Sequence, residues 1–268
     1  MSLRRTLTLL ALGLGLLAAT AAPAGARILK TRGIGQAGPL ALVVGSGFEY
    51  ETDPEESEYG FPFLGEYGFN RIMKLSLEPS LVFVRSKVGR STGGLGDFET
   101  TLTLEFPTER RYRPGLAFEG VVKWPTAPRG ALGTGETDYS LGAIVSKEFV
   151  DFDVDLNATY TFIGSPPGVH LENTFEGSIA TEWRLTHTLD LEAEAVTALG
   201  AGGFRSAPGT LGGFANIGGP EQGQSESEFT LGLAQHLNDF LKLEEGGVLK
   251  SGGSFQFVFA WEWDFEGR

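Results

Sequence analysis

The sequence contains no cysteine, only three histidines and only two methionines in 268 residues. Without cysteine there is no disulfide framework, no thiolate metal centre and no cysteine nucleophile. Beyond residue 26 there is no apolar run near the roughly 20 residues that a membrane-spanning helix needs. Positive charge is scarce too, with 21 basic side chains against 34 acidic ones and a formal net charge of −13. That balance argues against nucleic acid as a partner, because phosphate binding needs clusters of Lys and Arg. Glycine, by contrast, is abundant, with 39 residues against 13 prolines and no collagen-like or linker-like period, which predicts many turns.

Residues 1–26 read as an export signal that is removed. Arg4 and Arg5 give a positive start, the run from Leu7 to Ala22 is apolar, and Ala24-Gly25-Ala26 supplies a small-x-small cleavage pattern. The alternative, an anchoring helix, is opposed by Gly13, Gly15, Pro23 and the short apolar length. Removal takes away two basic residues and no acidic one, so the mature chain is more acidic still.

The dominant pattern is period-two alternation in segments of about ten residues, which puts successive side chains on opposite faces of a strand. The last segment is the clearest. Phe255, Phe257, Phe259, Trp261, Trp263 and Phe265 share one face, and Gln256, Val258, Ala260, Glu262 and Asp264 share the other. In 151–162, Phe152, Val154, Leu156, Ala158, Tyr160 and Phe162 oppose Asp151, Asp153, Asp155, Asn157, Thr159 and Thr161. In 97–106, Phe98, Leu102, Leu104 and Phe106 oppose Asp97, Glu99, Thr101, Thr103 and Glu105. Alternation alone does not say which face meets water: a soluble barrel or sandwich buries its apolar face, and a membrane barrel turns it outward. The signal segment, the aromatic residues at strand ends and the terminal aromatic strand favour the membrane.

The connections carry a second pattern. Counting from Leu40 gives about twelve strands (ten to fourteen), an even number as bacterial barrels require. Short polar turns fall near 68–71, 108–113, 149–151, 185–188 and 236–239, and longer loops fall near 51–57, 87–96, 125–137, 163–173 and 200–222, with a shorter one near 249–252. With both termini in the periplasm, every short turn is periplasmic and the longer loops are extracellular. The expected fold is all-β, a closed antiparallel transmembrane β-barrel over 40–265. A periplasmic lead-in (27–39) precedes it and a periplasmic tail (266–268) follows it. The expected location is the outer membrane of a Gram-negative-type envelope. Outer-membrane lipid and the barrel-assembly machinery are the expected partners, with Phe255, Phe257, Phe259, Trp261, Trp263 and Phe265 as the assembly signal.

Motifs for chemistry are few. Gly33-Ile34-Gly35-Gln36-Ala37-Gly38 matches G-x-G-x-x-G, but that motif binds dinucleotides only between a strand and a helix, and here Pro39 and a β pattern follow. No cofactor is expected. His170 reads as a loop residue, and His187 and His236 as residues of separate short turns, with no spacing that joins them to carboxylates as metal or acid–base sites require. A membrane-barrel lipid hydrolase needs a Ser/His pair. The sequences after the histidines, Thr188-Leu189 and Leu237-Asn238, do not fit the His-x-Ser-Asn-Gly stretch of the outer-membrane phospholipases. No catalytic or metal-binding residue is assigned.

The strand phase instead predicts a charged lumen, lined by Glu99, Glu105, Glu119, Asp153, Asp155, Glu176, Glu182, Glu192, Glu194, Glu226, Glu228 and Glu262 with Lys74, Lys123 and Arg184 as its basic minority. Such a wall either holds a wet or plugged interior by cross-strand ion pairs or forms a conduit that concentrates cations.

An ordered series of segments resembles a known family: Glu66-Tyr67-Gly68-Phe69-Asn70-Arg71, Gly94-Leu95-Gly96-Asp97, Lys123-Trp124-Pro125-Thr126-Ala127, Gly133-Thr134-Gly135-Glu136-Thr137-Asp138-Tyr139 and Tyr160-Thr161-Phe162. Together they are similar to the MetA-pathway of phenol degradation family of outer-membrane transporter β-barrels, across essentially the mature chain. One departure is Ala127, where that family usually has Gly. The resemblance implies a barrel and a transport role, and no catalytic residues. The expected function is a channel or transporter for passive passage of small solutes, hydrophobic or aromatic compounds among them. A closed structural barrel whose loops bind surface partners is the competing class.

Overall fold

The computed structural model describes residues 28–35, 39–52, 56–87, 89, 91–106, 113–128, 132–168, 171–199 and 226–265. The expected export signal, the loop 200–222, His170 and the tail 266–268 lie outside the described residues. Every regular element among the described residues is a strand: β1 (Leu42–Thr52), β2 (Glu56–Gly68), β3 (Met73–Glu78), β4 (Ser80–Ser86), β5 (Thr92–Leu95), β6 (Phe98–Phe106) and β7 (Gly115–Trp124). They continue as β8 (Asp138–Glu148), β9 (Phe152–Phe162), β10 (Thr174–Arg184), β11 (Leu189–Leu199), β12 (Glu226–Asn238), β13 (Leu241–Lys250) and β14 (Phe255–Phe265).

These strands form a closed antiparallel barrel of twelve staves, two of them interrupted. Strand β2 pairs with β4 over Glu56–Pro62 and with β3 over Gly65–Gly68, so β3 and β4 are halves of one stave. The break is Pro79, which has no N–H to give, but its carbonyl still accepts from Phe63 N at 2.9 Å. Strands β5 and β6 form the next stave, split at Gly96 and Asp97. A Cβ on Gly96 would collide with the Ser80 hydroxyl, so glycine lets the broken staves approach. Closure comes from β14 on β1, in register from Leu42 opposite Phe265 to Thr52 opposite Phe255. Closing the sheet in this way leaves, among the described strands, only the short β5 with one partner, β4.

Between β6 and β13 the connections alternate in length as expected, with 107–114, 149–151, 185–188 and 239–240 shorter than 125–137, 163–173 and 200–225. The loops expected at 51–57 and 87–96 are instead partly strand, because β1 runs to Thr52, β2 starts at Glu56 and β5 spans Thr92–Leu95, so the first connections at that end are short. The ends of β1 and β14 lie at the short-turn end of the barrel, where Leu42 opposes both Phe265 and Tyr67. Two of the short turns share one device. Asn70 Oδ1 accepts from Ile72 N (2.8 Å) and Met73 N (3.1 Å), and Asn238 Oδ1 accepts from Phe240 N (2.8 Å) and Leu241 N (2.9 Å). Such Asn turns reverse the chain locally at little cost. The turn expected at 236–239 starts later than its composition suggested, because His236 still belongs to β12 and its amide donates to Thr188 O.

The structure settles which face is which. Leu77, Leu104, Leu141, Ile179 and Leu231 are exposed, while their inward neighbours Glu78, Glu105, Ser140, Ala180 and Thr230 are buried. The apolar belt runs around the whole outer wall, far more than the few hundred Å² that a water-soluble monomer tolerates. Lipid is the solvent that makes it stable. Aromatic pairs ring both rims: Tyr67–Phe69, Phe149–Phe152 and Trp263–Phe265 at the short-turn end, and Tyr160–Phe162 and Tyr50–Tyr59 at the other. Such girdles mark the two interfaces of outer-membrane barrels. In β14, Phe255, Phe257 and Phe265 are exposed outward, Phe259, Trp261 and Trp263 are half-buried on the same face, and Gln256, Val258 and Ala260 point in. No helix among the described residues is long and apolar enough to cross a membrane.

This polarity makes a prediction at Leu231, in the middle of β12 on the outer face. Leu231→Arg should lower the unfolding free energy of the vesicle-embedded barrel by about 2–4 kcal/mol. Guanidinium titration followed by tryptophan fluorescence measures it, and an unchanged midpoint contradicts the outward assignment.

Candidate functional site

The inward face is a wall of carboxylates bridged by few cations. Lys74 on β3 holds Glu105 of β6 at 2.7 Å and Glu66 of β2 at 4.0 Å. Lys123 on β7 pairs with Asp138 of β8 and reaches Asp97 at 3.7 Å. Lys250 on β13 holds Glu51 of β1 at 2.7 Å and Glu228 of β12 at 3.8 Å. Lys242 reaches Glu244 (2.8 Å), Glu192 (3.0 Å) and Glu182 (3.4 Å). Each cation ties different staves together, yet acid remains in surplus. A buried charge left without partners costs several kcal/mol, so this wall calls for donors from elsewhere.

Residues 28–35 supply them. Expected as a periplasmic lead-in, this segment instead runs inside the barrel, crossing from the β12–β13 wall to the β6–β8 wall. Here its backbone groups are satisfied by wall side chains. Ile28 N donates to Glu244 Oε2 (2.8 Å), Thr31 N to Glu194 Oε1 (2.5 Å), Ile34 N to Ser146 Oγ (3.1 Å) and Gly35 N to Glu105 Oε1 (3.1 Å). Its two cations add to the pairing: Lys30 meets Glu228 at 2.5 Å, and Arg32 binds Glu78 with Glu119 at 4.0 Å. The Thr31 hydroxyl adds contacts to Glu194 Oε1 (2.6 Å) and Ser178 Oγ (2.7 Å). At one end Ile28 is an apolar anchor, packed among Leu64, Val248, Val258 and Ala260. It enters a recess left by two facing glycines: a Cβ on Gly232 would overlap Ile28 Cδ1, and one on Gly246 would come within 3.0 Å of it.

The loop between β7 and β8 closes part of the other end. Ala127 N donates to Asp97 Oδ1 (3.0 Å), the Thr126 hydroxyl donates to Gly96 O (2.9 Å), and Leu132 is buried against Val82 and Val84. Between plug and wall remains a cavity of about 40 Å³ bounded by Lys30, Arg32, Glu99, Glu119, Lys123 and Glu176 among others. That space has room for a few waters.

The residues expected in the lumen fall into two groups. Lys74, Glu99, Glu105, Lys123, Glu192, Glu194 and Glu228 are buried on the inward face, and Glu119 and Glu176 line the cavity. Asp155 lies against Gly33 of the plug. Nearer the rims stand Glu226 at the start of β12, Glu262 towards the end of β14, Glu182 and Asp153. Arg184 is exposed at the short-turn mouth, held by Asp153 (2.7 Å), Glu148 (3.4 Å) and the Val150 carbonyl (3.0 Å). The sequence missed Glu51, Glu66, Glu78, Asp138, Lys242, Glu244 and Lys250, and the plug cations Lys30 and Arg32, while Asp97 and Asp190, on the polar faces of their alternating segments, join the lining. His236 corrects another expectation. It stands in β12 rather than in a turn, and its half-exposed ring faces inward and meets Asp190 Oδ2 at 2.8 Å, with Glu182 close by.

Compared with protein-family models and with curated proteins, the chain matches none. Solved structures do match. A COG4313 outer membrane channel from Pseudomonas putida F1 is 13% identical with a TM-score of 0.67, over 87% of this chain and 100% of that one. The NanC porin is 7% identical with a TM-score of 0.58, over 83% of this chain and 98% of that one. The KdgM porin in complex with disordered oligogalacturonate is 10% identical with a TM-score of 0.50, over 83% of this chain and all of that one. At such identities the likeness is one of fold. The chain has the fold of outer-membrane channel barrels.

The seating of the plug is testable because the chain has no cysteine. With Leu29→Cys as the sole thiol, Ile28→Ala should speed maleimide labelling by about tenfold or more. The lost anchor corresponds to roughly 2–5 kcal/mol for a buried Ile truncated to Ala. Equal labelling rates would show that Ile28 does not hold the segment.

Proposed function

We propose that this protein is an outer-membrane channel for passive passage of small solutes, whose conduit is closed by its own residues 28–35. The observation that carries the reading is the chemistry of the interior. A barrel built only for stability gains most by filling its centre with apolar side chains, since buried ion pairs often contribute less than a packed apolar core. Here the centre is charged and is filled by a segment with no strand partners, held through side-chain contacts to the wall. A segment bound in this way can leave without breaking the ladder.

The fold shared with channels and porins supports the same reading. The surplus of carboxylates supports passage of cations and small neutral polar solutes in preference to anions. The family resemblance alone supports hydrophobic or aromatic solutes. Its location in a Gram-negative-type outer membrane, export by a cleaved signal and assembly through the β14 aromatic face belong to the same proposal. The closed-barrel alternative draws support from the small residual cavity. For the hydrolase alternative, His236 faces the lumen and partners a carboxylate rather than standing on the lipid-facing surface.

Planar-bilayer recordings distinguish these readings. The mature chain should show small or infrequent openings, and deletion of residues 28–35 should raise conductance several-fold with a preference for K⁺ over Cl⁻. In that open background, Glu192→Gln with Glu194→Gln should weaken the cation preference. A deletion variant that folds, never conducts and admits no solute into liposomes would overturn the channel and leave a structural barrel.

A further inference from the structure

We infer that the short-turn mouth carries a binding site for a transition-metal dication of the Zn²⁺ type, formed by His236, Asp190 and Glu182. The three residues come from β12, β11 and β10, adjacent staves whose inward faces meet at this rim. Each offers one ligand atom, and the three atoms all lie within 4.8 Å of one another. A cation among them reaches bonding distance after small side-chain shifts. One imidazole nitrogen with two carboxylate oxygens is the donor set that borderline dications favour. Three protein ligands at a half-open site leave a coordination position for water.

The neighbouring charges leave this triad available. Arg184 lies opposite Asp190 in the β10–β11 register, but its guanidinium is taken by Asp153, Glu148 and two turn carbonyls. Lys242, opposite His236, reaches Glu182 only as the longest of its three carboxylate contacts, at 3.4 Å. It keeps Glu244 at 2.8 Å and Glu192 at 3.0 Å when Glu182 turns to a metal. Glu192, directly opposite Glu182, is buried, and its Oε2 has no hydrogen-bond partner among the described residues. A dication beside it would offset that charge. The site needs nothing from the channel reading, and its metal would bridge three staves at the rim.

The test is a Zn²⁺ titration of the full mature barrel folded in detergent, with millimolar Mg²⁺ present to occupy oxygen-only sites. One saturable Zn²⁺ per chain with micromolar affinity is expected. His236→Ala and Asp190→Asn should each weaken it by about tenfold or more, while His187→Ala, on the neighbouring turn, should leave it unchanged. Heat-modifiable migration on gels verifies that each variant is folded. X-ray absorption at the zinc edge gives an independent readout, with one imidazole and carboxylate oxygens at about 2.0–2.2 Å expected. Equal binding by His236→Ala, an oxygen-only shell, or loss of binding to Mg²⁺ competition would each overturn the site.

Discussion

Buried carboxylates in need of donors organise the interior of this barrel. Facing lipid outside, the wall must place its polar side chains inward, and the sequence places far more acid there than base. Each wall cation is stretched between two or three carboxylates on different staves, as Lys242 is between Glu182, Glu192 and Glu244. The plug answers the remaining demand in two currencies, full positive charges at Lys30 and Arg32 and partial ones at the backbone amides of Ile28, Thr31 and Gly35. An extended strand outside a sheet must place its N–H groups somewhere. An acidic wall gives them acceptors, so the plug's lack of strand partners and the wall's lack of base resolve each other.

Shape follows the same economy. The plug crosses where the wall is thin, and it is thin where glycines sit. Gly232 and Gly246 face each other across β12 and β13, and the hollow between them takes the Ile28 side chain. Broken staves do similar service near the long-loop end. Pro79 and Gly96 interrupt two neighbouring strands at one level, and the β7–β8 loop packs Ala127 and Leu132 against the stretch beyond the break. Glycine and proline, which weaken a sheet interior, are placed where other segments enter the lumen.

Much of this barrel was legible as sequence. Alternation in β6, β9 and β14, the even strand count and the unequal connections gave the architecture, because each depends on local chemistry with a period of two. The sense of the alternation was not legible in the alternation itself, since inside and outside are properties of the closed sheet; it came from the signal segment and the terminal aromatic strand. Two interior features were missed for related reasons. His236, Asp190 and Glu182 lie far apart in the chain, and only the register of β10 on β11 and β11 on β12 brings them to one rim. The plug has no period at all. Its one available signal was arithmetic: an inward face dominated by acid, and a lead-in containing Lys30 and Arg32 with no other assigned task. The basic residues missed at Lys242 and Lys250 sit in a glycine-bearing strand, β13, whose alternation is blurred by Gly246 and Gly247.

A plug of this kind is bound strongly in sum and weakly in each part. Its contacts include an apolar anchor at Ile28, the ion pairs of Lys30 and Arg32, the Thr31 hydroxyl and a few amide donors, spread over most of the barrel's circumference. It is also tethered, because only a few residues separate Gly35 from Leu40, whose amide donates to Gly68 O at the rim. A tether this short gives the segment a high effective concentration at its seat. Release therefore does not mean loss, and closure needs no encounter from solution. The individual contacts are of the type that competing ions and solutes replace, since a carboxylate that accepts from a backbone amide accepts equally from water or a passing cation. An acidic wall that fits its own plug by charge thus also fits what would displace it, and the same carboxylates that close the lumen define what enters when it opens.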